Sequence, residues 1–314
     1  MGLVDYSSSS GDEAQQESPP TKRRKTSAER DGHSMPPLPS SFHDLYASTV
    51  RQSVVDDPSL HQGRKRLNPH VIGNWPTHIY VEWHPSKTQH DTINALIEKT
   101  QRQIGEDFHL HSFLTSDLGT DLPLHISLSK PLSLPTSSKG DFLSKTEDAI
   151  YASGIAPFSV KPAGLAWHKS PESDRMFFVL RVVTTNHITT NKADGKKSPL
   201  KLSTNPELMA LLVKCNKIAT HFRQPPLYQQ TRSESVDSAF HISIGWTLGS
   251  PDEGSCLKAL DNFTEKEFRD IHTWKIETDG VKAKIGNVIT HIPLSSTGRG
   301  NRDARRSADS LFGM

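Results

Sequence analysis

The sequence predicts an α+β fold with two pseudo-symmetric lobes, each an antiparallel sheet with helices, that flank a central cleft. Three observations support this prediction. A pentapeptide in which apolar residues alternate with His and Ser occurs twice, at 124–128 and at 240–244. Segments with helical periodicity lie on both sides of each copy, and further strand-like segments follow them. The repeat therefore indicates two similar halves, each of which contributes one strand to a shared cleft.

Composition limits the size of the folded part. Only 33% of the 314 residues are hydrophobic, which is typical of a compact domain that carries polar extensions. We expect a disordered N-terminal tail over 1–66, a bilobal domain over 67–294 and a disordered basic tail over 295–314. The first tail contains a basic tetrad at 22–25, which indicates either a nuclear-import signal or a solvated charge cluster.

Charge, cysteine spacing and hydropathy argue against several classes of protein. A formal net charge of +2 does not indicate a general polyanion binder. Cys215 and Cys256 lack the spacing of a disulfide framework or a zinc knuckle. No apolar run reaches the length of a membrane span, and the N-terminus lacks the order of a secretory signal. A soluble protein of a reducing compartment, without membrane contact, is expected.

The first half of the expected domain is predicted to contain a strand, a helix and the first repeat strand. Alternation and β-branched residues predict the strand at 77–83. Apolar residues at helical spacing predict a helix over 88–104 that stops at Gly105. A second alternating run places His109 and His111 on one face, but no third ligand lies at metal-site spacing. We therefore predict no metal, and the first repeat strand follows at 124–129.

The second half predicts three further helices. The helix over 141–153 has Asp141 as its predicted N-cap. The next helix starts with Asn205 and Pro206, a cap and a first-turn proline. The remaining predicted segments are strands at 158–160, 164–167 and 176–183, a polar insertion at 184–202, a helix at 255–263, and closing strands at 274–277 and 281–294.

The two repeats suit acid–base chemistry on a phosphodiester. In an extended strand, side chains alternate between faces, so each His shares a face with the Ser two residues on. One neutral imidazole takes a proton from a ribose 2′ hydroxyl, an imidazolium protonates the leaving 5′ oxygen, and the hydroxyls hold the phosphate. Neither repeat carries the Gly-x-Ser-x-Gly pattern of a serine hydrolase. The candidate residues are His125, Ser127, His241 and Ser243.

These motifs resemble the 2H phosphoesterase superfamily. Segments at 3–9, 73–81 and 284–287, together with both repeats, are similar to the U6 small nuclear RNA phosphodiesterase family. The resemblance implies a metal-independent 3′–5′ exoribonuclease that trims uridines or adenosines from an RNA 3′ end in the nucleus. It implies a 2′,3′-cyclic phosphate or a 3′ phosphate product, no cofactor, and a monomer.

The resemblance also assigns residues. His125 and His241 match the catalytic pair, and Ser127 and Ser243 match the phosphate-binding pair. Within the catalytic pair we assign His241 as base and His125 as acid. Tyr228 matches an aromatic that stacks the terminal base, although it also fits a loop residue packed on the preceding helix. Ala239 is expected to offer backbone contacts to the nucleotide. Two alternatives remain: hydrolysis of 2′,3′-cyclic phosphates without exonuclease action, and a non-enzymatic module that binds RNA 3′ ends.

Overall fold

A computed structural model describes residues 71–116, 118–171, 173–185, 204–228 and 236–295. The basic tetrad at 22–25, nearly all of the predicted tails and most of the insertion at 184–202 lie outside these residues. The described residues contain four α-helices and ten strands. The helices are α1 (Lys87–Ile104), α2 (Lys139–Tyr151), α3 (Pro206–His221) and α4 (Glu253–Asp261).

The ten strands form one sheet in which every described pairing is antiparallel. They are β1 (Asn74–Trp83), β2 (His111–Ser112), β3 (Leu124–Ser127), β4 (Leu132–Pro135), β5 (Phe158–Lys169), β6 (Arg175–Thr184), β7 (His241–Leu248), β8 (Ile276–Thr278), β9 (Gly280–Ile285) and β10 (Val288–Pro293).

The strand order places both repeats at the centre of the sheet. The order is β10-β9-β1-β3-β7-β6-β5-β8, with β2 paired to β7 and β4 paired to β1. Four strands of this path lie on each side of the junction between β3 and β7, which are the two repeat strands. The predicted α+β class with antiparallel sheets and helices is confirmed, and the two halves join edge to edge into one sheet.

Local sequence explains the two longest helices. Ser86 and Gln89 form a reciprocal capping box at the start of α1. Helix α3 starts at Pro206, where a missing N–H costs nothing. Each helix then buries one apolar stripe, as its spacing predicts. The buried apolar residues are Ile93, Leu96, Ile97 and Ile104 in α1, and Leu208, Leu211, Leu212, Cys215 and Ala219 in α3.

Three details of the sequence prediction are wrong. Asp141 is not an N-cap, because α2 begins at Lys139 and Asp141 lies in its first turn. The segments at 158–160 and 164–167 belong to the single strand β5, whose register shifts between Pro162 and Gly164. Pro162 has no N–H to donate to the strand ladder, and this interruption led the sequence pattern to predict two strands where the structure has one. The predicted closing strand at 281–294 is the hairpin of β9 and β10.

Candidate active site

The two repeat strands are direct neighbours. Strand β3 pairs with β7 through Ile126 and Ile242, and both isoleucines are buried. The residues on either side of this pair project from the opposite face of the sheet. Continuing the antiparallel register by one residue in each direction places each His opposite the Ser of the other repeat. The four side chains that share this face are His125, Ser127, His241 and Ser243.

The ring of His241 has a fixed orientation. Its Nδ1 lies 2.7 Å from the carbonyl oxygen of Ala239, an acceptor, so Nδ1 carries the proton and donates it. The Tyr228 hydroxyl donates to the same carbonyl at 3.2 Å. In the neutral ring Nε2 is then unprotonated and available as a base.

The structure gives Tyr228 and Ala239 contacts that the sequence did not predict. The Tyr228 ring is half-buried and meets Phe240 edge-on at 6.1 Å between centroids. Its backbone adopts a left-handed conformation with φ of 64°, which is uncommon for a residue with a side chain. Both residues therefore help to hold the His241 ring in its orientation. The stacking of a base by Tyr228 stays a prediction, as does a contact between Ala239 and the nucleotide.

Two basic side chains lie beside His241. The ring of His168 on β5 stacks on it, with 4.7 Å between centroids, and Arg181 is its partner on β6. Burial, followed by the neighbouring His168, His125 and Arg181, lowers the pKa of His241 to about 4, although the hydrogen bond to Ala239 acts in the opposite direction. At neutral pH this imidazole is uncharged.

A carboxylate lies beside His125. Glu82 on β1 is the cross-strand partner of His125. His125 is exposed to solvent, yet the protein around it displaces part of its hydration, and this desolvation lowers its pKa. Glu82 opposes the shift and Lys284 adds to it. The two catalytic candidates therefore differ: the Glu82 carboxylate opposes the lowering of the pKa of His125, whereas His168 and Arg181 add to the lowering of the pKa of His241.

Glu82 is held in its ionised form. Burial favours the neutral acid, but hydrogen bonds from His84 at 3.0 Å and Lys282 at 3.2 Å favour the anion, and the pKa of Glu82 is lowered. At neutral pH the carboxylate is thus a negative charge next to His125.

A third histidine contacts the serine of the first repeat. Nε2 of His78 lies 3.2 Å from Oγ of Ser127. The His78 ring also meets His125 edge-on at 5.3 Å and stacks on Tyr80 at 5.2 Å. Burial and then the neighbouring His125 lower the pKa of His78 to about 3, so this ring is neutral and interacts with Ser127 as a hydrogen-bonding group.

Sequence reasoning missed several groups on this face. The alternation of 77–83 places His78 and Glu82 on the side opposite Ile79, but it does not reveal that β1 lies beside β3. The contributions of β5, β6 and β9 depend on strand order, which carried no sequence signal. The missed residues are His78, Glu82, His168, Arg181, Lys282 and Lys284.

The arrangement offers two proton-transfer groups, two hydroxyl donors and nearby cations, a set that suits an anionic ester. Among the described residues, no group of three or more His, Cys, Asp or Glu side chains is arranged to hold a metal ion. No helix in the described part of the chain is long and apolar enough to span a membrane.

An antiparallel α+β fold with two His-x-Ser strands at its centre defines a protein of the 2H phosphoesterase-like class. Residues 36–293 match the family HVSL, which is described as an uncharacterised conserved protein. The chain is 38% identical to U6 snRNA phosphodiesterase 1 of Neurospora crassa over 293 residues, covering 84% of this chain and 76% of the relative. It belongs to the U6 snRNA phosphodiesterase family.

More distant relatives carry the same name. U6 snRNA phosphodiesterase 1 of Homo sapiens is 25% identical over 307 residues, covering 93% of this chain and 98% of the human protein. Among solved structures, Kluyveromyces marxianus Usb1 with uridine monophosphate gives a TM-score of 0.47 at 15% identity, covering 70% of this chain and 98% of that one.

Proposed function

We propose that this protein is a metal-independent 3′–5′ exoribonuclease that trims the oligouridine or adenosine 3′ end of U6 small nuclear RNA. The observation that carries the proposal is the placement of both His-x-Ser repeats on one face of two adjacent central strands. The names of the relatives support the substrate. We expect the protein to act in the nucleus, as a monomer and without a cofactor.

In the proposed reaction the ribose 2′ hydroxyl of the penultimate nucleotide attacks the last phosphodiester. Nε2 of His241 takes the hydroxyl proton while the 2′ oxygen forms a bond to phosphorus. The bond from phosphorus to the 5′ oxygen of the terminal nucleoside breaks, and that oxygen takes a proton from His125. The RNA then ends in a 2′,3′-cyclic phosphate, which water can open to a 3′ phosphate. Proton exchange with solvent resets both rings.

The electrostatic surroundings support this division of roles. A base must start neutral, and burial, followed by the neighbouring His168, His125 and Arg181, lowers the pKa of His241 and keeps it so. An acid must start protonated, and the Glu82 carboxylate favours the charged form of His125. The bound phosphodiester adds a negative charge that raises the pKa of His125 further, so substrate binding promotes the protonation that the reaction needs.

The serines and lysines support the phosphate. In this proposal Ser127 and Ser243 donate to its non-bridging oxygens, where charge is held through the transition state. Lys282 and Lys284 lie on β9, beside the strand that carries His78 and Tyr80. Their charges favour an anionic substrate at this end of the cleft.

Single substitutions of His125 and His241 by Ala test the proposal on a 3′-hydroxyl oligouridine RNA. The wild type is expected to shorten the RNA stepwise with EDTA present, and each variant to lose roughly 10²-fold or more of the rate. The control is His221→Ala, a change of an exposed residue at the end of α3. Full inhibition by EDTA contradicts the metal-independent mechanism.

The same assay separates the alternatives. A wild type that opens 2′,3′-cyclic phosphates but leaves a 3′-hydroxyl RNA intact is a cyclic phosphodiesterase. A wild type that binds RNA without turnover is a binding module. Mass spectrometry of the shortened RNA identifies the 3′ end as cyclic or open.

A further inference from the structure

A row of aromatic rings crosses the sheet beside the proposed active site. His111 on β2 stacks on Trp246 on β7, with 4.3 Å between centroids and 16° between planes. Phe113 stacks on Phe177 of β6 at 6.3 Å and 14°. The guanidinium of Arg175 lies over Phe177 at 5.0 Å and over Trp246 at 5.9 Å. We call these five residues the aromatic strip.

Strand register places the strip on the catalytic face. His111 pairs with Trp246, Trp246 with Phe177, and Phe177 with His168. Side chains of directly paired residues share a face, so this row faces the same way as His168. The register shift of β6 against β7 between Phe178 and Val179 puts Trp246 on this face, although uninterrupted alternation from His241 would not. The ring of His168 stacks on His241, and the strip is thus continuous with the proposed catalytic base.

The strip presents ring surface to solvent instead of burying it. His111, Phe113, Phe177 and Arg175 are all half-buried, whereas Trp246 is only 3% exposed and forms the floor. Neighbours on the opposite face, such as Leu110, Leu114 and Phe178, are buried in the core. A flat aromatic surface with a guanidinium above it is the chemistry that binds single-stranded nucleic acid, because bases stack on rings and the cation attracts phosphates.

We propose that the aromatic strip binds the bases of RNA nucleotides that lie on the 5′ side of the nucleotide whose 2′ hydroxyl attacks the cleaved phosphodiester. The inference rests on the proposed function, in which His241 takes its proton from the ribose of that attacking nucleotide. Because the strip adjoins His241 through His168, RNA that leaves the active site on the 5′ side meets these rings next. Stacking tolerates any base, so the affinity of the strip for RNA depends on the length of the RNA more than on its sequence.

Substrate length provides the test. A uridine dinucleotide contains the cleaved bond but supplies no further base to the strip, whereas a uridine hexanucleotide does. Phe177→Leu removes the ring face and keeps an apolar side chain, and Arg175→Gln removes the charge. The matched control is Phe222→Leu, since Phe222 is a half-buried aromatic at the end of α3. Thermal unfolding of each variant monitors the fold, because cross-strand aromatic pairs also stabilise sheets.

The wild type is expected to cleave the hexanucleotide with a lower KM than the dinucleotide. Phe177→Leu is expected to raise the KM for the hexanucleotide roughly 5- to 150-fold, the range that corresponds to losing one stacked base. It is expected to leave dinucleotide kinetics unchanged, as is Phe222→Leu for both substrates. Arg175→Gln is expected to weaken the salt dependence of hexanucleotide binding by about one unit of slope.

A binding measurement separates failure of the strip from failure of the enzymatic proposal. Fluorescence anisotropy with a hexanucleotide that carries a 2′-deoxyribose at the cleavage position reports affinity without turnover. Equal affinity of folded Phe177→Leu, Arg175→Gln and wild type for this RNA overturns the strip, whether or not the enzyme is active. A wild type that binds this RNA through the strip but does not cleave the unmodified hexanucleotide overturns the proposed function alone.

Discussion

At the scale of single residues, two chemically identical side chains acquire different roles from their neighbours. His241 donates its Nδ1 proton to the Ala239 carbonyl and lies among His168, Arg181 and His125. His125 faces the Glu82 carboxylate across one strand pair. A fixed tautomer and burial beside basic side chains favour a base, and an anionic neighbour favours an acid.

Glu82→Gln is expected to weaken the proposed acid. Glu82 raises the pKa of His125, so its loss lowers that pKa further and reduces the protonated fraction at neutral pH. The basic limb of the pH–rate profile should therefore move to lower pH. The rate at pH 7 should fall by part of the roughly 10²- to 10⁴-fold that a general acid supplies.

The matched control is Glu98→Gln on the exposed face of α1, where the carboxylate accepts a hydrogen bond from Asn94. Its pH–rate profile should match that of the wild type. A Glu82→Gln enzyme whose basic limb stays in place, or moves to higher pH, contradicts the assignment of His125 as the acid.

His78→Gln is expected to act through Ser127. The ring hydrogen-bonds the Ser127 hydroxyl at 3.2 Å, and its loss frees that hydroxyl to rotate away from the phosphate. In a double-mutant cycle, His78→Gln should reduce kcat in the wild-type background and have little further effect when Ser127 is already Ala. Additive losses would show that His78 acts independently of Ser127. His78→Asn, which shortens the side chain, should lose more activity than His78→Gln.

At the scale of elements, the sequence predicted the parts that have their own periodicity. The strand at 77–83, both repeat strands and the helices that begin near Lys87 and Pro206 are confirmed. Strand β4 was missed, because Leu132–Pro135 is short and ends in Pro. The Asp141 cap was wrong because Ser138, three residues earlier, already occupies the N-cap position of α2.

Site residues from distant strands could not be predicted, since pairing partners depend on tertiary contacts and not on local pattern. Lys284 reaches the site because β9 returns from the C-terminal region to pair with β1. Arg181 reaches it because β6 lies beside β7 with a register shift between Phe178 and Val179. The repeats could be predicted because their chemistry and alternation are contained within five residues each.

Gly286→Ala is expected to destabilise the β9–β10 hairpin. Gly286 has a positive φ of 61°, and an added Cβ would lie 2.4 Å from the Trp75 ring. Both the left-handed backbone and the close ring oppose a side chain, so we expect a loss of more than about 1 kcal/mol in the free energy of unfolding. Chemical denaturation measures it.

Gly140→Ala in α2 is the control for this prediction. No atom lies within 4 Å of the Cβ that would be added there, and the backbone is helical. Alanine has the higher helix propensity, so the change should be neutral or stabilising by up to about 1 kcal/mol. Equal losses in the two variants would mean that the Trp75 contact is not responsible.

At the scale of the whole molecule, one sheet separates two environments. Alternate residues of its central strands, such as Ile126 and Ile242, fill the core, and the intervening residues lie on the opposite face. The same alternation that stabilises the fold brings imidazoles together at a desolvated site. The site therefore lowers the free energy of unfolding in acid, because His78, His125 and His241 all have lowered pKa values.

The stability of the protein is expected to fall as the pH drops below about 6.5. In the unfolded chain these histidines bind protons near their ordinary pKa of about 6.5. In the folded chain His78 and His241 resist protonation down to about 3 and about 4. Over that interval the unfolded state binds more protons, so the free energy of unfolding decreases with falling pH, by at most about 1.4 kcal/mol per pH unit for each ring.

Chemical denaturation at pH 7.5, 6.5 and 5.5 measures this slope. His78→Gln removes one of the proton-resistant rings, so its stability should fall less steeply with acid than that of the wild type. His221→Gln, at the exposed end of α3, should leave the slope unchanged. Inorganic phosphate adds negative charge to the cleft, raises the pKa values of its rings, and should stabilise the protein more at pH 5.5 than at 7.5. Equal slopes for wild type and His78→Gln would contradict the link between the desolvated site and acid stability.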